Sequence, residues 1–270
     1  MPNLKVTPKS GNGKIISITP ESAGWKYVGF DLHRLALGQT AAEKSEKDET
    51  CLVFITGKGK VRVDGKDLGE LGERMSVFEG KPWSVYLPAG IEWSVTATTT
   101  LELAVCRGPS INNDLPVRVI GPEDLGLETR GKGSNVRHVT NILPEGKPAD
   151  SLLVVEVITP GGNTSSYPPH KHDQNNPPHE SFLEETYYHR INPPQGFAFQ
   201  RVYTDKREDG SRELDVAMAL EDGDVTLVPK GYHPCATTHG YDLYYLNVMA
   251  GPVRTWKFHN APEHEWLLKA

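Results

Sequence analysis

Residues 168–190 read PPHKHDQNNPPHESFLEETYYHR and hold the densest set of metal-binding side chains in the sequence. His170 and His172 stand two residues apart, so on an extended strand both imidazoles project from one face. Glu184 and Glu185 follow, and then the strand-like run Tyr187, Tyr188, His189. A fourth donor is available from His233, in GDVTLVPKGYHP. Two His from one strand, a carboxylate from another and a third His from later in the chain give three nitrogens and one oxygen. That donor set suits a divalent first-row metal, with positions left for water or substrate.

Outward from this stretch the chain is written in short segments. Ile15–Thr19, Tyr27–Leu37, Thr50–Thr56, Lys60–Val63, Arg74–Val77, Trp83–Leu87 and Leu101–Arg107 predict strands, with an Asp64-Gly65 hairpin turn among them. Leu152–Ile158, Glu185–Arg190, Phe197–Tyr203, Asp215–Leu220, Val225–Val228 and Tyr241–Met249 form a second series. The chain's 26 Gly and 21 Pro mark many turns, and there is no long helical period. Such spacing predicts an all-β fold of barrels or sandwiches rather than a parallel α/β sheet. Helix is expected only near Pro122–Leu127 and as a terminal turn in APEHEWLLKA.

The two series repeat one pattern. A charged or His-rich loop leads into strands, and a Pro-x-Gly turn follows an apolar run: Pro88-Ala89-Gly90 in the first half, Pro229-Lys230-Gly231 in the second. GPSINNDLP, around Ser110–Pro116, starts the connector, which predicts domains at 1–115 and 116–270. In the first half the loop before Cys51 has no His, Trp93 stands where the Pro-x-Gly turn would lead to a ligand, and Glu49 alone cannot hold a metal. The first domain is therefore expected to support the second.

His-x-His, a later Glu, a Gly-Asp step, Pro-x-Gly and a final His resemble the two motifs of a cupin barrel. Over its whole length the chain resembles the 5-deoxy-glucuronate isomerase family of myo-inositol breakdown, which is related to the isomerase acting on 5-keto-4-deoxyuronate. The segments HKHDQNNPPHESFLEETYYHRINPPQGFAFQRVYT and GDVTLVPKGYHPCATTHGYDLYYLNVMAGP carry that resemblance, reinforced by GWKYVGFDLHRLALG. It implies two jelly-roll barrels and a metal-dependent aldose–ketose isomerase of the cytoplasm. Its implied substrate is 5-deoxy-D-glucuronate, its product 5-dehydro-2-deoxy-D-gluconate. Zinc is the implied metal, while the donor set itself also admits manganese, iron, cobalt or nickel. An iron oxygenase, a related uronate isomerase and a non-catalytic sugar-binding bicupin are the alternatives.

Against that pattern, QNNPPHESFLE is an insertion between His172 and Glu185, and one residue rather than two separates Gly231 from His233. The expected ligands are His170, His172, Glu185 and His233, with Glu184 and His239 as the alternatives for the last two. Glu185 is preferred because it opens the strand TYYH. If it points inward, Tyr187 and His189 share its face and become candidates for proton handling, or else fill the barrel. Arg201 is a candidate fork for a substrate carboxylate, or else a strand-surface ion pair. Lys171 faces away from the two ligands, and Lys230 and His179 read as solvated, the latter in a loop able to act as a lid.

Composition fits a globular protein, with 37% hydrophobic and 24% charged residues, and a net charge of −6 argues against nucleic acid or an anionic membrane as partner. No apolar run approaches the roughly 20 residues needed to span a bilayer. The start, MPNLKVTPKSGNGK, does not read as a signal peptide. Cys51, Cys106 and Cys235 are an odd number and read as free thiols of a reducing compartment. The expected partner is a small uronate, with a homo-oligomer left open.

Overall fold

The computed structural model describes residues 3–112 and 114–269, and nearly all of its regular structure is strand. Asn113, within the expected connector, lies outside the described residues, as does Ala270 of the expected terminal turn. Two compact units interleave along the chain: Met1–Thr7, Leu127–Thr140 and Val155–Ala270 form one, Pro8–Gly126 and Asn141–Val154 the other.

The second of these units has a six-stranded sheet, in the order Arg118–Ile120, Ser84–Leu87, Asp48–Thr56, Leu101–Pro109, Gly29–Leu35, Gly13–Ile18. Its four-stranded sheet runs Thr40–Lys44, Glu92–Ala97, Gly59–Val63, Lys66–Leu71. Period-two alternation sends Leu52, Phe54, Leu103 and Val105 of the first sheet and Val61, Val63, Trp93 and Val95 of the second into one hydrocarbon cluster. Each such side chain stabilises by about 1.5–3 kcal/mol through burial. The interior of this unit is largely hydrocarbon, with buried Asp31 and His33 on the same sheet face, opposite Val105 and Leu103.

On the other face of Asp48–Thr56 lies Glu49, fully buried. Its carboxylate accepts from the Tyr86 hydroxyl at 2.6 Å and from the backbone N–H groups of Asp150, Ser151 and Leu152 at 2.7, 2.6 and 2.6 Å. Glu49 thus anchors a returning segment of chain. Cys51 and Cys106 are buried cross-strand neighbours and free thiols, and burial pushes Cys51 up to about 12.

Several expectations needed revision. Arg74–Val77 is not a strand, because the Arg74 Nε donates to Ile55 O at 2.8 Å and only a bridge between Ser76 and Glu79 forms. The charged AAEKSEKDE, read as a loop, supplies most of the edge strand Thr40–Lys44, with Thr40 and Lys44 outward and Glu43 reaching Arg107 at 2.7 Å. Asp64-Gly65 makes its hairpin, both residues at positive φ (48° and 75°). The helix near Pro122–Leu127 is a single 3-10 turn, Pro122–Asp124, and the terminal turn is a 3-10 segment, Pro262–Leu268.

The histidine-bearing unit carries most of a seven-stranded sheet, ordered Lys5–Val6, Val225–Val228, Glu184–Asn192, Asp242–Ala250, Leu153–Thr159, Arg137–Leu143, Gly126–Arg130. A four-stranded sheet orders Thr164–Ser165, Cys235–Thr237, Ala198–Tyr203, Asp215–Leu220, and His170–Lys171 pairs with His259–Asn260. Here Glu185, Tyr187, His189, Gln200, His233, Tyr245 and Asn247 are all buried. A polar interior of this kind survives only where its groups hold one another or a ligand.

Candidate metal centre

Three segments each deliver donors to one place. His172 is strapped to Leu183 twice: its carbonyl accepts from Leu183 N at 2.9 Å, and its Nδ1 meets Leu183 O at 2.9 Å. The inserted loop between them therefore closes on itself and starts the strand Glu184–Asn192 beside the histidines. Asp173 then ties this loop to the third donor, its Oδ2 accepting from Gly231 N at 2.9 Å. Gly231 sits at φ +89°, where a Cβ would come within 2.4 Å of Tyr203 O, so glycine is required at the turn. Beyond it, Tyr232 and Tyr203 exchange backbone hydrogen bonds at 2.8 and 2.9 Å, and His233 enters the interior with Nδ1 on Gly231 O at 2.9 Å.

The result is convergence. Ligating atoms of His170, His172 and His233 all lie within 4.8 Å of one another. Glu185 Oε2 is 3.0 Å from His172 Nε2 and 3.2 Å from His233 Nε2. Backbone carbonyls of Leu183 and Gly231 hold two rings by Nδ1, and Pro168 holds the His170 ring. Fixing Nδ1 as donor leaves the Nε2 lone pairs of His172 and His233 for a cation, the arrangement second-shell carbonyls impose on metal-binding imidazoles. Burial, and then the neighbouring His172, push His170 down to about 3; burial likewise pushes His233 to about 3 against the pull of Glu185. Burial also lowers His172, yet the hydrogen bond and charge of Glu185 leave it raised. Three imidazole nitrogens and a carboxylate oxygen so gathered fit a divalent cation.

Glu184 turns to the opposite face of its strand, and His239 lies on an exposed turn. Tyr187 lines a small cavity beside Glu185 and His170, its hydroxyl 2.9 Å from Ser166 Oγ. Ser166 holds φ +50°, a left-handed conformation that a serine adopts under constraint. His189 is stacked behind Tyr187 (ring centroids 5.9 Å apart), with Nε2 on Thr226 Oγ1 at 3.3 Å. Burial pushes it down to about 4. It does not line the cavity.

Arg201 is not in the site. Its fork grips Asp215 at 2.8 and 2.7 Å on the exposed face and covers the Tyr203 ring. Its neighbour Gln200 points inward instead, its Nε2 donating to His233 O at 3.1 Å. Arg201→Ala is expected to change activity by less than about twofold and stability by less than about 1 kcal/mol; steady-state kinetics and a melting curve check this. Lys171 pairs with Asp205 at 2.7 Å, Lys230 with Glu213, and His179 is exposed in its loop. Gln200, Ser166, Tyr245 and Asn247 were missed by the sequence reading. For Gln200 the signal existed, since apolar Ala198 and Val202 mark its side of the strand as inward.

Fold and site together define a cupin-type β-barrel protein with a His/Glu cluster in one unit. The chain belongs to the KduI/IolB family, whose model matches residues 4–267. It is 54% identical over 259 residues to a 5-deoxy-glucuronate isomerase of Geobacillus kaustophilus, covering 96% of this chain and 92% of that protein. It is 50% identical over 254 residues to the 5-deoxy-glucuronate isomerase of Bacillus subtilis, covering 93% and 92%. The crystal structure of an IolB-like protein from Salmonella typhimurium superposes with a TM-score of 0.95 at 52% identity, covering 99% of this chain and 100% of that one. A mutant of Bacillus subtilis oxalate decarboxylase shares the fold at 14% identity, with a TM-score of 0.63 over 96% of this chain and 80% of that one. Among the described residues no helix is long and apolar enough to cross a membrane.

Proposed function

We propose that the chain is a metal-dependent aldose–ketose isomerase that converts 5-deoxy-D-glucuronate to 5-dehydro-2-deoxy-D-gluconate, with zinc held by His170, His172, Glu185 and His233 in the unit whose interior is polar. One observation carries this reading. Three tethered imidazoles and a carboxylate meet beside a small cavity, in a chain about half identical to relatives named for that activity. Inositol catabolism in the cytoplasm is the setting that accompanies it.

When bound, a divalent ion there supplies Lewis-acid polarisation of the substrate carbonyl. The protein's own part is positional and protonic. Isomerisation moves one hydrogen from carbon 2 to carbon 1 and one proton from the carbon-2 oxygen to the carbon-1 oxygen. Burial holds the Tyr187 phenol well above its usual range, so it stays a hydroxyl. As a hydroxyl it serves the oxygen-to-oxygen transfer by accepting one proton while giving up its own, with Ser166 orienting it. The cavity wall favours direct transfer of the carbon-bound hydrogen as hydride. Among the described residues, its only imidazole and only carboxylate are His170 and Glu185, both assigned to the metal, and His189 stands behind Tyr187.

Turnover of 5-deoxy-D-glucuronate by the zinc-loaded protein in heavy water tests both levels. Ketose formed without oxygen uptake, lost on chelation and restored by zinc, is expected, with no deuterium at carbon 1. Absence of ketose overturns the isomerase. Deuterium at carbon 1 keeps the isomerase and replaces hydride transfer with a base.

A further inference from the structure

Beside the cavity, of about 40 Å³, lies an outer cleft of about 610 Å³. Arg137 lines both. Its Nη1 donates to Asn135 O at 3.1 Å, and no carboxylate among the described residues stands within ion-pair distance of it. This matters in a chain of net charge −6, whose partly buried Arg107 and Arg190 are both carboxylate-paired. Burial and the second arginine, Arg130, press on the Arg137 charge, and both guanidinium charges are felt at His170. Arg130 also lines the cavity, paired with Glu128 at 2.7 Å and 5.7 Å from the Trp256 ring centre. Opposite, Asn247 is 4% exposed and its Nδ2 has no partner in the same wall. Strand register sets it across from Tyr187.

We propose that Arg137 is the carboxylate-binding residue of the substrate site and that Asn247 Nδ2 donates to a substrate hydroxyl or carbonyl oxygen. The proposal rests on the isomerase reading above and adds where the acid end of the substrate is held. A cavity of this size admits only the head of a sugar acid, since a single water needs about 10–15 Å³. The reacting end is thus turned toward His170 and Glu185, while the acid end stays beside Arg137, the residue that lines both cavity and cleft. A guanidinium there matches a carboxylate bidentately, and an orphaned buried amide N–H gains the acceptor it lacks. The role first expected of Arg201 falls to a residue on a different strand.

The test compares D-glucuronate with its neutral isostere D-glucuronamide as ligands of the zinc-loaded protein, in wild type, Arg137→Met and Arg137→Lys, alongside KM and kcat for 5-deoxy-D-glucuronate. Wild type is expected to prefer the acid by roughly a hundredfold, the size of effect when a desolvated charge pair loses one partner. Arg137→Met is expected to lose that preference and to raise KM far more than it lowers kcat. Arg137→Lys is expected to recover part of it, with zinc content equal in all three. Asn247→Ala is expected to weaken acid and amide alike by about tenfold. An Arg137→Met protein that still prefers the acid overturns the assignment, as does a wild type that does not discriminate, an outcome that needs no variant to fold. A wild type that discriminates but forms no ketose sinks the isomerase reading and leaves the subsite standing.

Discussion

His172→Ala is expected to abolish metal retention and isomerisation together, with kcat/KM down by at least about a thousandfold, the scale of an electrophile lost from a site. The reason is geometric. His172 Nε2 and Glu185 are 3.0 Å apart, and the His172 ring is fastened to Leu183, so its loss removes one donor and unseats a second. The rest of the barrel does not depend on it, because the strand Glu184–Asn192 keeps its pairing to Asp242–Ala250 over nine residue pairs. Metal analysis after dialysis and a circular dichroism melt check both halves. Full metal content in the variant, or activity that outlasts the metal, would show that these four residues are not the coordination sphere. Without added metal, wild type and variant are expected to melt within a few degrees of each other, since only the loaded wild type gains binding energy.

Glu49→Ala is expected to be among the most destabilising single changes in the chain while leaving the metal site intact. Removing the carboxylate orphans three backbone N–H groups and the Tyr86 hydroxyl in a fully buried place. At about 1–3 kcal/mol for each unpaired buried group, the loss reaches at least about 4 kcal/mol. That corresponds to a fall of roughly 8 °C or more in Tm at about 2–4 °C per kcal/mol. Calorimetry checks it, with zinc content and low-temperature kcat as the unaffected controls. Glu49→Gln is expected to cost less, because one carbonyl oxygen still accepts while its amide N–H faces donors. A Tm within about 2 °C of wild type for Glu49→Ala would refute the anchoring role.

Much of the fold was legible because turn residues and alternation act locally. Asp64-Gly65 and the two Pro-x-Gly turns announce themselves wherever they occur, and the donors were readable because the pattern His-x-His has few other uses. What escaped was set by neighbours far along the chain. Glu49 looks like the counterpart of Glu185, since both precede a threonine. Register places it otherwise: Thr50 opposes Leu87 just before Pro88, as Glu185 opposes Val228 just before Pro229. One step along a strand exchanges faces, so Glu49 corresponds to Glu184 and points away from the interior. For Arg201 the residues left a carboxylate fork and a strand-surface ion pair both open, and its pairing with Asp215 on the face of exposed Phe199 is the latter. Arg137 and Asn247 carry no motif at all; only the shared cavity identifies them.

The mainly hydrocarbon interior of the unit built from Pro8–Gly126 and Asn141–Val154 sets what a second metal site there would require. Thr50→Glu would place a carboxylate at the matching register, buried and across the strand from Arg107, while the cluster of three imidazoles lies in the other unit. Exchanging Trp93 for histidine first would leave a void where the largest core side chain had been. Each change made alone is expected to cost stability before any site exists. One unit thus keeps a barrel's shape around a mainly hydrocarbon core while the other holds the His/Glu cluster.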